Sequence, residues 1–460
     1  MKRLSGLLLV LALISGLAVG LNPFKTVKTL DAAAPEKIGI YTNSFGYYVY
    51  VADPINNRVL KYSTDGLFLD TVIKTVTTHS SGEKWELKKV VDIVTCRLTD
   101  VIGVADAITG HSYIYEMTGH SHHKNGKPGN GKGELQEMWG VAMTETNETK
   151  SQALLDRKGC KVSHWNPPPG GIKDPRDGLW VRDFGGKGTG DGQLMFPEGM
   201  AYDKKQNLWV ADTGNGRVVE FDLKGKFIRN LTDNMKEPCA IGFDFLSSQG
   251  NKLYVLDRGT KTVHVFSSDI KPLKVIKLAG MDRPSSMTID CDNNIWVTDV
   301  NLNKAFKYNQ AGKQLLVIDK LINPVETKRT IVRVFINKYI MTINDVIKAV
   351  DAPPFIQSGK TLVPLKAISE GLGAKVDYNG KIRKGQITVK LGNKVVVVWI
   401  GETKGTVDGK TVTLEVPPMI KKGRTFVPVR FISEGLGCQV NWNPKDLRYS
   451  AGAVTVVYPK

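Results

Sequence analysis

Asn207-Leu-Trp-Val-Ala-Asp-Thr-Gly-Asn-Gly-Arg-Val-Val-Glu-Phe-Asp222 carries the grammar that decides the fold: an apolar strand ending in Asp212, a polar turn, then an alternating strand. The same grammar recurs at 50–62, at 252–257 with 263–266, and at 295–299 with 305–308. Two weaker copies lie at 103–106 with 113–115 and at 154–156 with 162–165. The strand-end aspartates are Asp53, Asp106, Asp156, Asp212, Asp257 and Asp299, spaced by 53, 50, 56, 45 and 42 residues. A unit of this size holds a few short strands and cannot bury both faces of its sheet alone, so the copies must pack radially into a ring. The expected class is mainly β: a six-bladed β-propeller followed by a small C-terminal α+β tandem-repeat domain.

Five positions beyond each aspartate stand Arg58, His111, Lys161, Arg217, Thr262 and Lys304. In the first and fourth units an Asp–Arg pair can clamp the turn, holding geometry more than adding net stability. The six aspartates, with Arg58 and Arg217, are therefore read as structural blade markers.

Phe184-Gly-Gly-Lys-Gly-Thr-Gly-Asp-Gly-Gln-Leu-Met-Phe-Pro-Glu-Gly-Met-Ala-Tyr-Asp203, followed by 208–212 and Asn215-Gly-Arg217, resembles an NHL repeat. The resemblance is close at blade 4, good at blades 1, 5 and 6, and poor at blades 2 and 3. It spans about 36–322 and implies a propeller that binds proteins, glycans or nucleic acids, with a minority of relatives being enzymes. The propeller domain is expected over 21–324.

A different repeat follows. Pro353-Pro-Phe-Ile-Gln-Ser-Gly-Lys-Thr-Leu-Val-Pro-Leu-Lys-Ala-Ile-Ser-Glu-Gly-Leu-Gly373 is echoed 64 residues later by Pro417-Pro-Met-Ile-Lys-Lys-Gly-Arg-Thr-Phe-Val-Pro-Val-Arg-Phe-Ile-Ser-Glu-Gly-Leu-Gly437. Pro364 and Pro428 suit a helix start. Ile368 with Leu372, and Ile432 with Leu436, fall on one helical face. Gly373 and Gly437 suit a left-handed stop. Val376 and Tyr378, and Val440 and Trp442, alternate as strands leaving the helices, and Asp408-Gly409 signals a hairpin. The segment 331–460 resembles the copper amine oxidase N-terminal-like, or stalk, domain, which implies an attachment or spacing module. Copper amine oxidase chemistry is not expected, because all seven histidines precede residue 265 and the module has no imidazole to offer copper.

The net charge of +18 is uneven: residues 331–460 hold 20 Lys+Arg against 9 Asp+Glu. A basic module of this kind attracts anionic cell-wall polymers at long range. Lys2 and Arg3 precede the apolar run 7–17, and Ala18-Val19-Gly20 offers a cleavage point. Residues 1–20 thus read as a secretory signal peptide, with an uncleaved anchor as the alternative. The mature chain is expected to be secreted, bacterial in type and associated with the cell envelope. The five cysteines (Cys96, Cys160, Cys239, Cys291, Cys438) are odd in number and form no CxxC. They read as buried small hydrophobes, with one disulfide such as Cys239–Cys291 left open.

His120, His122 and His123 form the one local cluster with metal-ligand chemistry. Their run aligns with the glycine-rich segment 185–192, so a solvated loop is expected rather than a metal site. No phosphate loop, nucleophile elbow or zincin motif occurs. No catalytic residue, metal or cofactor is expected. The functional expectation is a non-catalytic binding or display protein. Its propeller would present a face to a protein or glycan, without specific nucleic-acid binding, while its basic module attaches or spaces it at the envelope. The alternative is a metal-dependent propeller hydrolase or lyase acting on a lactone or polysaccharide.

Overall fold

The computed structural model describes residues 37–460 apart from 38, 43–47, 65, 67, 74, 75, 79–83, 96–100, 117–120, 145–150, 170–176, 245–250, 291, 322–328, 345, 382–384, 444–451 and 460. The segment read as a signal peptide lies outside the described residues.

Between 40 and 318 the described residues form six consecutive four-stranded antiparallel meanders. Their first strands are Ile40–Thr42, Val90–Thr95, Met138–Met143, Gly199–Tyr202, Pro238–Phe243 and Pro284–Ile289. Each of these touches the equivalent strand of the next meander, and the sixth touches the first, so the ring closes. The second strand of each blade ends at a marker aspartate and is buried along its whole length, as at Tyr48–Asp53, Leu208–Asp212 and Ile295–Asp299. A strand packed between two neighbouring sheets reads as an apolar run because neither face meets water. The outer strands alternate or lie exposed, as at Pro272–Lys277.

Blades 1 and 6 are each complete in themselves, so no strand is shared across the closing seam. Side chains close it instead. Ile40, Val51 and Leu60 of blade 1 join Trp296, Ala305 and Leu321 in one buried cluster, and the Tyr62 hydroxyl donates to the Leu321 carbonyl.

The histidine run differs from its expected place. Ser121–Asn125 is the outermost strand of blade 2, bulged between Ser121 and His123. The glycine-rich turn starts at Gly126, where Gly126, Gly129 and Gly133 take φ of 81°, 141° and 69°. These match Gly185, Gly188 and Gly192 at 96°, 158° and 71°. Anchoring the frame on those left-handed glycines places His122 and His123 in the strand before the loop, while His120 lies outside the described residues.

Beyond 328 the chain builds two five-stranded sheets, one four-stranded sheet and two short helices, Leu365–Leu372 and Val429–Gly435. The first five-stranded sheet orders Val346–Ala349, Ile340–Ile343, Arg329–Phe335, Ala453–Pro459 and Gln439–Asn443. The second orders Lys375–Asn379, Gln386–Leu391, Lys394–Trp399, Lys404–Val407 and Lys410–Thr413. Each sheet therefore takes three strands from one repeat and two from the other. In the four-stranded sheet Val363 pairs with Val427, its own counterpart 64 residues on, so the pseudo-two-fold axis passes between them. Val332, Val334, Ile368, Val396, Val398 and Ile432 lie in the shared core.

Strand Arg329–Phe335 is buried on both faces. Val332 and Val334 face the module's core, while Ile331 and Phe335 join Ala453, Val457 and propeller residues including Tyr48, Ile93 and Tyr115 in another cluster. Arg333, only 3% exposed, stands on the propeller side. Its guanidinium lies 4.6 Å over the Tyr48 ring and donates to the Tyr48 hydroxyl, and its Nε donates to Thr455 Oγ1 at 3.3 Å. Tyr48 starts the strand that ends at Asp53, so the module docks at the end of blade 1 remote from the aspartate turns.

Candidate functional site

All six marker aspartates are fully buried. Asp257 shows why such a charge is tolerated. Its Oδ2 accepts from Lys236 N at 2.8 Å, and its Oδ1 accepts from Glu237 N and Gly259 N at 2.9 Å each. Asp106, Asp156 and Asp299 likewise accept from the turn that follows and from the segment entering the same blade. Each carboxylate thus ties two loops of one propeller face together through backbone amides. Asp53 and Asp212 add the arginines, Arg58 Nε at 2.9 Å and Arg217 Nε at 2.8 Å. Arg217 also donates to the Gly190 and Gln193 carbonyls of the glycine-rich loop. Lys161 repeats this in blade 3, reaching Gly131 O at 3.1 Å and Asp183 at 2.9 Å.

On the same face, a charged network that spacing does not reveal surrounds the mouth of the central channel. Lys37 is 4% exposed, and its three ammonium protons go to Asp92 Oδ2 (3.1 Å), Trp139 O (3.0 Å) and Glu198 O (3.2 Å). A buried ammonium has three donors to satisfy, and here all are used. Arg258 clamps the Glu198 carboxylate through both terminal nitrogens at 2.7 and 3.1 Å, and its Nε reaches Glu237 at 3.1 Å. Burial works against the Arg258 charge, but the Glu198 hydrogen bonds override it and hold the guanidinium more firmly protonated than usual. Arg157 lies 4.2 Å over the Trp139 ring, 3.6 Å from Glu137 and 3.8 Å from Glu198. These residues come from four blades and the segment before blade 1. Nothing in a single repeat signals them.

The channel itself is a narrow cavity of about 70 Å³, lined by the first strands of the blades, with Tyr41, Val94, Met143, Met200 and Met287 among its walls. Among the described residues no group of three or more His, Cys, Asp or Glu could hold a metal ion. Of the histidine cluster, His120 lies outside the described residues, and His123 is buried within its strand. Cys160, Cys239 and Cys438 are free, buried thiols, and Cys96 and Cys291 lie outside the described residues. Trp139, Trp209 and Trp296 are buried; Trp180, on the outer strand of blade 3, is 37% exposed.

Residues 194–221 match the NHL repeat, and residues 306–384 and 342–450 match the copper amine oxidase N-terminal domain. An NHL-type propeller and a copper amine oxidase N-terminal-like module share this chain. The second match begins within blade 6, whereas the module's own first strand starts at Arg329. The NHL-type region is similar to Protein brain tumor of Drosophila melanogaster, 21% identical over 169 residues, or 36% of this chain and 16% of that protein. Protein lin-41 of Caenorhabditis elegans is 44% identical over 48 residues, 10% of this chain and 4% of its own length. The chain thus spans less than a fifth of these relatives. Among solved structures, a streptogramin B lyase aligns with a TM-score of 0.43 and 14% identity, covering 65% of this chain and 86% of that one. A nidogen/laminin complex aligns with a TM-score of 0.43 and 15% identity, covering 59% and 93%.

Proposed function

We propose that this protein is exported and acts as a non-catalytic binding protein. Its six-bladed propeller presents the aspartate-turn face to a protein partner, and its basic C-terminal module, over about 331–460, holds it at the cell envelope. The observation that carries the reading is the network of Lys37, Asp92, Glu198 and Arg258. Every charge in it is committed to a fixed partner, which makes a stiff, patterned surface rather than a group poised to transfer a proton. The more exposed rim of Glu237, Glu137 and Arg157 offers both signs of charge for docking. The similarity to the NHL repeat supports a protein as the partner, and the apolar run behind Lys2 and Arg3 supports export.

Two measurements test this. The full chain is incubated with bacterial wall fractions at low and high salt; failure to bind at low salt defeats the attachment half. Metal analysis of untagged protein addresses the rest. A stoichiometric divalent ion bound in the channel would replace this reading with a metal-dependent hydrolase or lyase.

A further inference from the structure

The intertwined repeats of the C-terminal module build the same set of side chains twice. One groove, of about 530 Å³, lies between the helix Leu365–Leu372, the edge strand Lys375–Asn379 and the hairpin turn of the other repeat. Tyr378 and Val376 stand in it 55% and 42% exposed. Arg424 of repeat 2 pairs with Asp351 of repeat 1 at 2.7 Å, and Lys366 lies 3.8 Å from Glu370. Ser369 lines the groove with its hydroxyl buried and without a hydrogen-bond partner.

Sixty-four residues away each element has its counterpart. Trp442 stands 39% exposed on the edge strand Gln439–Asn443. Lys360 pairs with Glu415, again across the repeats, and Arg430 lies 3.6 Å from Glu434. The Ser433 hydroxyl is also buried without a partner. Among the module's described residues, these two hydroxyls are the buried side-chain polar atoms that lack one. Leaving such a group unsatisfied costs about 1–3 kcal/mol, so finding it twice at matching positions points to a ligand-facing role.

The charges identify the ligand class. The module as a whole is strongly basic, yet each set contains two cations and two anions joined in pairs, so the set itself adds no net charge for a polyanion to recognise. What it presents is an exposed aromatic ring, able to take the apolar face of a sugar, beside fixed donors and acceptors for hydroxyl groups. We infer that the two sets form a duplicated binding site for a neutral, hydroxyl-rich glycan, one sugar lying on Tyr378 and another on Trp442. This goes beyond attachment through the basic surface and does not depend on it.

The test titrates the full chain with cellohexaose, chitohexaose and maltohexaose, and with heparin as a polyanion, at low salt and at about 0.5 M NaCl, where surface charge is screened. Calorimetry should show at least one neutral hexasaccharide binding with an affinity that salt leaves unchanged. Tyr378→Ala and Trp442→Ala should each remove one of the two sites and halve the stoichiometry; Tyr378→Phe, which keeps the ring, should retain both, and the double alanine variant should lose binding. Circular dichroism confirms that each variant is folded. Failure of all three neutral sugars to bind, or binding that survives both alanine substitutions, overturns the inference. Salt-sensitive heparin binding with no neutral sugar bound would overturn it too, while leaving attachment by the basic surface in place.

Discussion

A carboxylate such as Asp257 is stable in the interior only because backbone amides replace its water, and that makes it a point of leverage. Asp257→Ala strands several of those amides and should lower stability by roughly 3 kcal/mol; urea melts measure this, with Asp257→Asn falling between. His164 gives a pH dependence. Burial, reinforced by Arg182, brings its pKa down to about 4. The unfolded chain takes up that proton near 6.5, so from about pH 6.5 down to about 4 the unfolded state binds more protons than the folded one. Stability is therefore complete above this window, falls as pH drops through it, and levels off below. His111 is lowered in the same direction by burial. Urea midpoints across this range should slope down toward acid, and His164→Gln should flatten the slope; an unchanged slope rejects the assignment. Burial pushes Cys239 and Cys438 up to about 12. Iodoacetamide at neutral pH should label neither until the protein is unfolded, as read by peptide mass spectrometry.

Among the elements, the first strands of the blades are the most tightly constrained. A Cβ on Gly199 would sit 2.5 Å from the Cys239 carbonyl oxygen and 2.7 Å from Ala240 Cα, so two strands meet there that no side chain could separate. Gly199→Ala should cost about 2–3 kcal/mol and be among the more damaging small substitutions in the ring. A thermal melt unchanged from the parent would refute this. Strand, turn and marker were legible because each is local: an apolar run, an Asp that caps the next turn, a left-handed glycine. The network of Lys37, Asp92, Glu198 and Arg258 was not legible, since its members meet only after the ring closes. His122 and His123 fall in a strand and not in the loop because composition alone does not show which glycines take positive φ. In the C-terminal module the duplicated motif revealed the strands but not their partners, as alternation says which residues share a face and not which repeat supplies the neighbour.

At the scale of the whole molecule, the module is docked, not tethered. Arg333 is buried against Tyr48 at the foot of blade 1, the blade whose seam with blade 6 has no shared strand. Arg333→Ala should lower stability by about 3 kcal/mol, since it empties a buried site in which the guanidinium packs over the Tyr48 ring and donates to Thr455. Hydrogen exchange should show the loss mainly in Tyr48–Asp53 and Val90–Thr95, with blade 4 unaffected; uniform exchange across the ring would argue against the docking. The strand exchange between repeats has a further consequence for biogenesis. Arg329–Phe335 pairs early with Ile340–Ile343 on one edge, but its other edge finds Ala453–Pro459 only when that strand has been synthesised, more than a hundred residues later. The propeller can assemble while its clasp is still an open chain. Newly made molecules therefore pass through an interval in which Ile331 and Phe335 have no complete sheet to belong to, and chaperone demand should peak there.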